Sequence, residues 1–300
     1  MKEVKLIKTS IIQFKSKENE WNNILLKNET EQLTGAFKIR GVSEKFKKID
    51  LEKYDTIITA STGNHGQAVA LCSKNYNKNC IIIVPKNTPK CKIDKISQYN
   101  PTIYKELENY DECKKYAIEL SKNKGYYYIP SFDDINIING HKTLFEEIDW
   151  TGIDYCFCPI GGGGLISACL EYLQETNVKV IGVEMEKMDA MRQSLEAQKS
   201  ISVNINNNRE SFAEGILVSE VGETNLEIAK KHDLEVCTVS EEEIKNAIKT
   251  LYTNNGIKAE GAGASALAGA LKYNKKGKNC ICIISGGNID DRLFNKIIEG

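Results

Sequence analysis

An α/β architecture of two domains, each a mostly parallel sheet with flanking helices, is predicted by three observations. Short apolar runs of strand character alternate with segments of helical spacing along most of the chain. Several of these runs end in glycine-rich or hydroxyl-rich turns that open the next helix, the rhythm of strand–turn–helix units. The 300 residues, 41% of them hydrophobic, suffice for two cores at about 100 to 200 residues per domain.

Taken in order, the N-terminal region reads as irregular, and the first strand is YDTIITA, Tyr54 to Ala60, followed by a helix from His65 to Asn75. CIIIVP is a second strand. Pro89 to Tyr99 is helical, Thr102 to Leu107 extended, Asp111 to Asn123 helical and YYYIP extended, giving about four short βα units between residues 52 and 138. This stretch is expected to form a small domain that closes over a substrate, against a large domain of residues 1–51 and 139–300. In the large domain the strands are IDYCFCPI, VKVIGVEM, LEVCTVS and NCICIIS, and the helices are Leu165 to Gln174, Glu241 to Asn254 and Gly263 to Tyr273. NINNNRE, Asn204 to Glu210, is the clearest loop.

Charge and composition narrow the function classes. With 40 basic and 41 acidic residues the net charge is −1, so no broad basic field exists to hold nucleic acid or an anionic membrane. No apolar run approaches the roughly 18 residues that span a bilayer, and the N-terminus MKEVKLIKTS has no apolar leader segment. A soluble, cytoplasmic protein with reduced thiols is expected. The cysteine pairs Cys156/Cys158 and Cys280/Cys282 skip one residue inside apolar runs, and no Cys-x-x-Cys occurs, so they read as small core hydrophobes.

Four segments carry chemistry. Lys38 lies in GAFKIRG, flanked by Gly35, Ala36, Phe37, Ile39 and Gly41; apolar surroundings lower the pKa of an ammonium and leave a nucleophilic amine able to form a Schiff base. Most lysines are solvated surface charges, and it is this context that sets Lys38 apart. GGGGL, Gly161 to Leu165, follows one strand and opens a helix, so successive backbone N–H groups face an anion; lacking the residues of a dinucleotide fingerprint or a Walker sequence, it fits a monophosphate. The bland alternative is a glycine turn that packs helix on strand. GAGASA from Gly261 has Gly-x-Gly-x-x-Ala spacing but follows no convincing strand, and reads as close helix packing. STGNHGQ places Ser61, Thr62, Gly63, Asn64 and His65 at a strand-to-helix turn, where hydroxyls and free N–H groups converge on a carboxylate, more polar groups than an ordinary N-cap needs. SGGN, Ser285 to Asn288, ends an apolar strand, where ligands of parallel sheets bind, and Ser285 offers a neutral hydrogen bond to a ring nitrogen.

An amine, a carboxylate cradle, a phosphate cradle and a neutral ring partner are the parts of a pyridoxal 5'-phosphate (PLP) enzyme. GAFKIRG, STGNHGQAVA, PIGGGGL and ISGGNID, in this order and running from Lys38 to Asp290, resemble the fold-type II (tryptophan synthase β-like) PLP enzymes, in particular the serine/threonine dehydratase and serine racemase branch. The resemblance implies that Lys38 carries the cofactor through an imine, that Phe37 packs by the ring, and that Asn64 bonds the 3-hydroxyl. It further implies that Gly161, Gly162, Gly163, Gly164 and Leu165 hold the phosphate and that Ser285 meets the pyridine nitrogen. The substrate carboxylate would lie on Ser61 to His65, with Lys38 and Thr62 as catalytic groups.

The implied reaction is β-elimination from a β-hydroxy amino acid, giving a 2-keto acid and ammonia, with Lys38 removing the Cα proton. A neutral Ser285 moderates the ring as an electron sink, which disfavours transamination. Racemisation of a serine-type amino acid is an alternative, because Thr62 stands where racemases of this branch usually have Ser and dehydratases often Ala. Elimination or replacement on another β-substituted amino acid is a further alternative, and a cofactor-binding protein without turnover is one from a different class. A divalent cation (Mg or Ca) held by Glu184 is implied, although Ala190 occupies the second ligand place and Asp189 is one residue early. Gly140, His141, Lys142 and Thr143 replace the usual Gly-Gln-Gly-Thr, and Glu214 replaces an Asp, which points to a substrate other than plain serine or threonine. A homodimer is implied. Because the chain ends about ten residues past SGGN, a C-terminal regulatory domain and feedback by isoleucine are not expected.

Overall fold

A computed structural model describes residues 3–15, 19–204 and 211–300 of the chain. The expected loop at Asn204 to Glu210 lies, apart from its first residue, outside the described residues. Two separate sheets form. The smaller contains β3 (Thr56–Ala60), β4 (Asn79–Pro85), β5 (Thr102–Leu107) and β6 (Tyr127–Tyr128) in the order β5-β4-β3-β6, all parallel. The larger contains β1 (Ile11–Gln13), β2 (Asn23–Asn28), β7 (Tyr155–Pro159), β8 (Lys179–Met185), β9 (Glu235–Val239) and β10 (Asn279–Ile284) in the order β1-β2-β10-β7-β8-β9. Only β1 runs antiparallel to its neighbour.

Helices α2 (Asn64–Asn75), α3 (Lys90–Ser97), α4 (Tyr110–Lys124), α6 (Gly164–Leu173), α9 (Glu241–Asn255) and α10 (Gly261–Tyr273) fall where the spacing places them. α10 is buried through most of its length, and a Cβ on its Gly263 would lie 2.1 Å from the Gly286 carbonyl oxygen, so GAGASA does serve close packing. The N-terminal region departs from expectation. It supplies β1, β2 and α1 (Lys38–Lys48), and β2 is a central strand whose Lys27 is fully buried. A buried lysine breaks the apolar run that would mark such a strand. Helices α5 (Ile135–Phe145), α7 (Ala190–Ala197), α8 (Glu223–Lys231) and α11 (Asp291–Glu299) also go beyond the expected set.

Separate cores hold the two sheets. Cys156, Cys158, Cys169, Cys280 and Cys282 lie in the core of the large sheet, and Cys72, Cys80 and Cys113 lie in the apolar clusters flanking the small one. All eight are buried free thiols, as hydrophobe-like cysteines should be. The apolar face of α1 (Ile39, Val42, Phe46) joins a cluster of the small sheet, although α1 follows the first large-sheet strands in the chain. Lys38 therefore begins a helix that packs against α2 and α5, while the preceding Phe37 belongs to the large-sheet core.

Candidate active site

The turns after β3, β7 and β10 carry Ser61, Gly161 and Ser285, at the carboxyl ends of parallel strands where α/β ligand sites form. Contacts between the segments bring them together. Ala36 and Gly286 form an antiparallel bridge, the Phe37 N–H donates to the Ser285 carbonyl at 3.0 Å, and the Gly287 N–H donates to the Gly35 carbonyl at 2.9 Å. Lys38 is thus held beside Ser285.

Asn64 joins the same place from the small-sheet side. Its Nδ2 donates to Glu260 Oε1 at 2.7 Å and its Oδ1 accepts from Asn288 Nδ2 at 2.7 Å. Around it, Ser61 is buried, its Oγ accepting from the Gly63 N–H at 3.3 Å, and Thr62 is half-buried, its hydroxyl without a hydrogen-bond partner among the described residues. His65 is buried, and its Nε2 lies 3.3 Å from the Ile129 carbonyl and 3.2 Å from Thr59 Oγ1. Because a carbonyl only accepts, Nε2 carries the proton and Nδ1 is a bare nitrogen, buried without a partner among the described residues. Burial, and then the nearby Lys38 charge, push His65 down to about 3 against the hydrogen bond to Ile129, so it stays neutral at physiological pH. It therefore ties the start of α2 to β3 and to the residue after β6 rather than supplying a base.

The glycine loop opens α6, whose first N–H groups have no side-chain cap. Gly163 has φ +99°, a left-handed conformation that favours glycine, and a Cβ on Gly162 would lie 2.2 Å from the Phe132 ring. Sequence reasoning passed over the segment that presses on these glycines. Within Ser131 to Asp134, the Ser131 carbonyl accepts from Lys38 Nζ at 2.9 Å, Phe132 packs on Gly162, and Asp133 accepts from the Glu223 and Thr224 N–H groups at the start of α8. Asp134 caps α5 and pairs with Lys45 at 2.5 Å. Asn225, also unforeseen, donates to the Gly162 carbonyl at 2.8 Å and accepts from Ser167 Oγ at 2.9 Å. No local pattern marks either one, since their partners are remote in sequence.

Burial pushes the Lys38 ammonium down to about 8, with Glu260 partly opposing, and its Nζ lies 5.2 Å from the centre of the Phe37 ring. At pH 7 about one such amine in ten is neutral, against fewer than about one in a thousand for an ordinary lysine. His141 is fully buried against Phe37, with ring centroids 4.7 Å apart, and neither of its nitrogens has a partner among the described residues. Its ring fills the space that a Cβ on Gly41 would take, 2.5 Å away. His141 therefore lies behind the Lys38 turn.

These residues fit PLP: a desolvated lysine amine, an uncapped helix start after a glycine loop, and a buried Ser285 whose hydroxyl has no partner among the described residues. They do not fit the implied cation. Glu184 is buried and its two oxygens accept from the Met191 and Arg192 N–H groups at 2.8 and 3.0 Å, capping α7. Burial pushes its carboxyl up to about 8, opposed by those two hydrogen bonds, and Asp189 is paired with Arg192. Among the described residues no group of three or more His, Cys, Asp or Glu could hold a metal.

A parallel α/β fold with a lysine at the meeting point of a phosphate-type loop and a carboxylate-type loop defines a class, and residues 5–286 match it: the chain belongs to the pyridoxal-phosphate dependent enzyme family. Among its relatives is the L-threonine ammonia-lyase of Thermotoga maritima, 36% identical over 92% of this chain and 70% of that protein. Another is the catabolic L-threonine dehydratase of Staphylococcus aureus, 34% identical over 92% of this chain and 82% of that protein. The chain spans only 55% of the biosynthetic L-threonine dehydratase of Haemophilus influenzae, to which it is 33% identical over 93% of its own length. Among solved structures, threonine deaminase isoform 2 of Solanum lycopersicum superposes with TM-score 0.91 at 32% identity, over 98% of this chain and 88% of that one. Maize serine racemase does so with TM-score 0.87 at 26% identity, over 98% and 92%. No helix among the described residues is long and apolar enough to cross a membrane.

Proposed function

We propose that the chain is a PLP-dependent ammonia-lyase of the serine/threonine dehydratase type, releasing a 2-keto acid and ammonia from a β-hydroxy amino acid. The observation that carries the reading is the Lys38 amine, held at a lowered pKa where the Ser61, Gly161 and Ser285 turns meet. The threonine ammonia-lyase relatives support the substrate class. PLP, when bound, supplies the electron sink that stabilises negative charge at the substrate Cα.

The chain's own residues do the rest. Ser61, Thr62 and the N–H groups at the start of α2 bind the substrate carboxylate and orient Cα–H. Lys38 takes the Cα proton, a role open to an amine that is partly neutral near pH 7. Elimination of the β-hydroxyl as water, followed by hydrolysis, balances the reaction. Gly161 to Leu165 orient the phosphate, while Ser285 gives the ring nitrogen a hydrogen bond without a countercharge. Phe37 walls the ring beside Lys38.

The test is keto-acid release from L-threonine and L-serine by the PLP-loaded protein. The expected result is ammonia and keto acid in equal amounts, abolished in Lys38→Ala; a loaded wild-type protein inert toward both amino acids and toward 3-hydroxyaspartate overturns the reading. Racemisation is a second reading, supported by the uncommitted Thr62 hydroxyl and the likeness to maize serine racemase. Loss of D-serine formation in Thr62→Ala, with elimination retained, would assign it to that residue. The domain division follows as part of the proposal: residues 52–138 close against 1–51 and 139–300, a division that the separate sheets support. A cytoplasmic homodimer completes the reading and rests on the resemblance alone.

A further inference from the structure

The oxygen and nitrogen of a primary amide have nearly the same shape, so an asparagine is informative only when its neighbours distinguish the two ends. Those around Asn64 do. The Thr34 carbonyl can only accept, so the Asn288 atom 2.7 Å from it is Nδ2. Lys95 Nζ, 3.4 Å from the other end of that side chain, marks it as Oδ1. The second hydrogen of Asn288 Nδ2 falls on Asn64 at 2.7 Å, and that atom is therefore Oδ1. The opposite end of Asn64 is Nδ2, which gives one hydrogen to Glu260 Oε1 at 2.7 Å. Its other hydrogen has no acceptor among the described residues.

Packing keeps the arrangement from relaxing. A Cβ on Gly286 would lie 2.8 Å from Glu260 Oε1, 2.9 Å from Ala36 Cβ and 3.3 Å from Asn64 Nδ2, so the amide nitrogen is wedged against the backbone that bridges to the Lys38 segment. Glu260 is itself held, its N–H donating to the Gly286 carbonyl at 3.0 Å. Burial pushes the Glu260 carboxyl above the usual carboxylate range, against the Asn64 hydrogen bond and the Lys95 charge, with Glu214 adding to the rise. Protonated or not, it keeps an oxygen able to accept from Asn64.

We propose that Glu260 and Asn288 are positioning residues that hold Asn64 with an N–H, not its carbonyl oxygen, presented to the phenolic oxygen of PLP. The proposal rests on the PLP reading above. An aromatic oxyanion needs a donor there; a turned amide would set a carbonyl oxygen against it, and both the hydrogen bond and the repulsion would count against binding. Glu260 has a second effect, since it is the carboxylate that raises the Lys38 pKa against burial.

Four variants separate orientation from charge. Asn288→Asp turns the donor into an acceptor and forces the Asn64 amide round. Glu260→Ala removes the acceptor, Glu260→Gln keeps an acceptor but not the charge, and Asn288→Ala removes the donor without adding repulsion. The readouts are the PLP dissociation constant, the pH titration of the visible absorbance of bound PLP, and the melting temperature of the PLP-free protein.

Asn288→Asp is expected to weaken PLP by about tenfold or more, the value of a lost hydrogen bond plus repulsion. Glu260→Ala and Asn288→Ala should weaken it less, and Glu260→Gln least, with the absorbance titration shifted in Asn288→Asp and melting of the PLP-free proteins close to wild type. Wild-type affinity and titration in Asn288→Asp and Glu260→Ala overturn the proposal, as does a Glu260→Gln protein as impaired as Glu260→Ala. A wild-type protein that takes up no PLP, or a Lys38→Ala protein with the same visible absorbance, overturns instead the reading on which the proposal rests.

Discussion

Arg40 and Lys38 stand two residues apart at the start of α1, and the interior treats them in opposite ways. Arg40 is fully buried, yet its Nε and Nη2 pair with Glu29 at 2.7 and 2.8 Å and its Nη1 and Nη2 with Glu147 at 2.7 and 3.0 Å. Lys27 joins Glu147 at 2.6 Å. Burial alone would lower the Arg40 pKa, but the hydrogen bonds and charges of the two carboxylates outweigh it and raise it. The same cations hold Glu147 below the usual carboxylate range against its burial. Lys38 has a carbonyl and a ring for neighbours and a carboxylate only at a distance, so burial prevails and its pKa falls. Burial by itself does not decide the charge of a side chain; the supply of matched partners does.

The largest effect expected from this contrast is in Arg40→Ala, which leaves the buried Glu29 without its cation and Glu147 with Lys27 alone, and should cost about 3–5 kcal/mol in urea unfolding. A loss below about 1 kcal/mol would show that the ion network does not support the fold. Lys38→Met should behave oppositely, changing the stability of the PLP-free protein by less than about 1 kcal/mol near neutral pH, or raising it. The pH dependence sharpens the point. With a folded pKa near 8 against the ordinary 10.5, the folded state binds fewer protons between those values, so wild-type stability rises from pH 8 to 10.5 and the variant should lack that rise.

A smaller effect tests the buried histidines. Burial, then the Lys38 charge, holds His141 well below its usual range, as it does His65, so the unfolded state binds more protons below about pH 6.5 and stability falls as the solution is acidified. His141→Gln should therefore gain melting temperature over wild type at pH 5 relative to the difference at pH 8. Equal differences at both would mean that His141 finds a partner on protonation. Smallest of all is Lys92→Ala. It breaks a half-exposed pair with Glu214 and should change stability by less than about 1 kcal/mol.

Legibility in the sequence followed the same division. Strands β4, β7 and β10 are apolar in nearly every residue, β3 and β8 in most, and all five read plainly, while STGNHGQ and GGGGL lie between a strand and a helix, where the turn has local chemistry. β2 did not read, because Lys27 in its middle is neutralised by Glu147, a residue remote in sequence. α5 contains Asn136, Asn139 and Gly140, poor helix formers whose use becomes clear only in three dimensions, where a Cβ on Gly140 would lie 2.7 Å from the Gly41 Cα. Of the site, Lys38, Asn64 and Ser285 were visible, whereas Ser131, Asn225 and Glu260 act through partners that no spacing announces. α11 did carry a local signal, with Asp290 accepting from the Arg292 and Leu293 N–H groups and Phe294 and Ile297 on one buried stripe.

The distribution of sulfur gives this protein a built-in clock for each sheet. Cys72, Cys80 and Cys113 are sealed around the small sheet and Cys156, Cys158, Cys169, Cys280 and Cys282 under the large one, and burial raises the pKa of most of them, so alkylating reagents have neither access nor thiolate until a lobe opens. Mass spectrometry of timed alkylation would count the two sets separately, so that breathing of one half is recorded on tags the other half does not share.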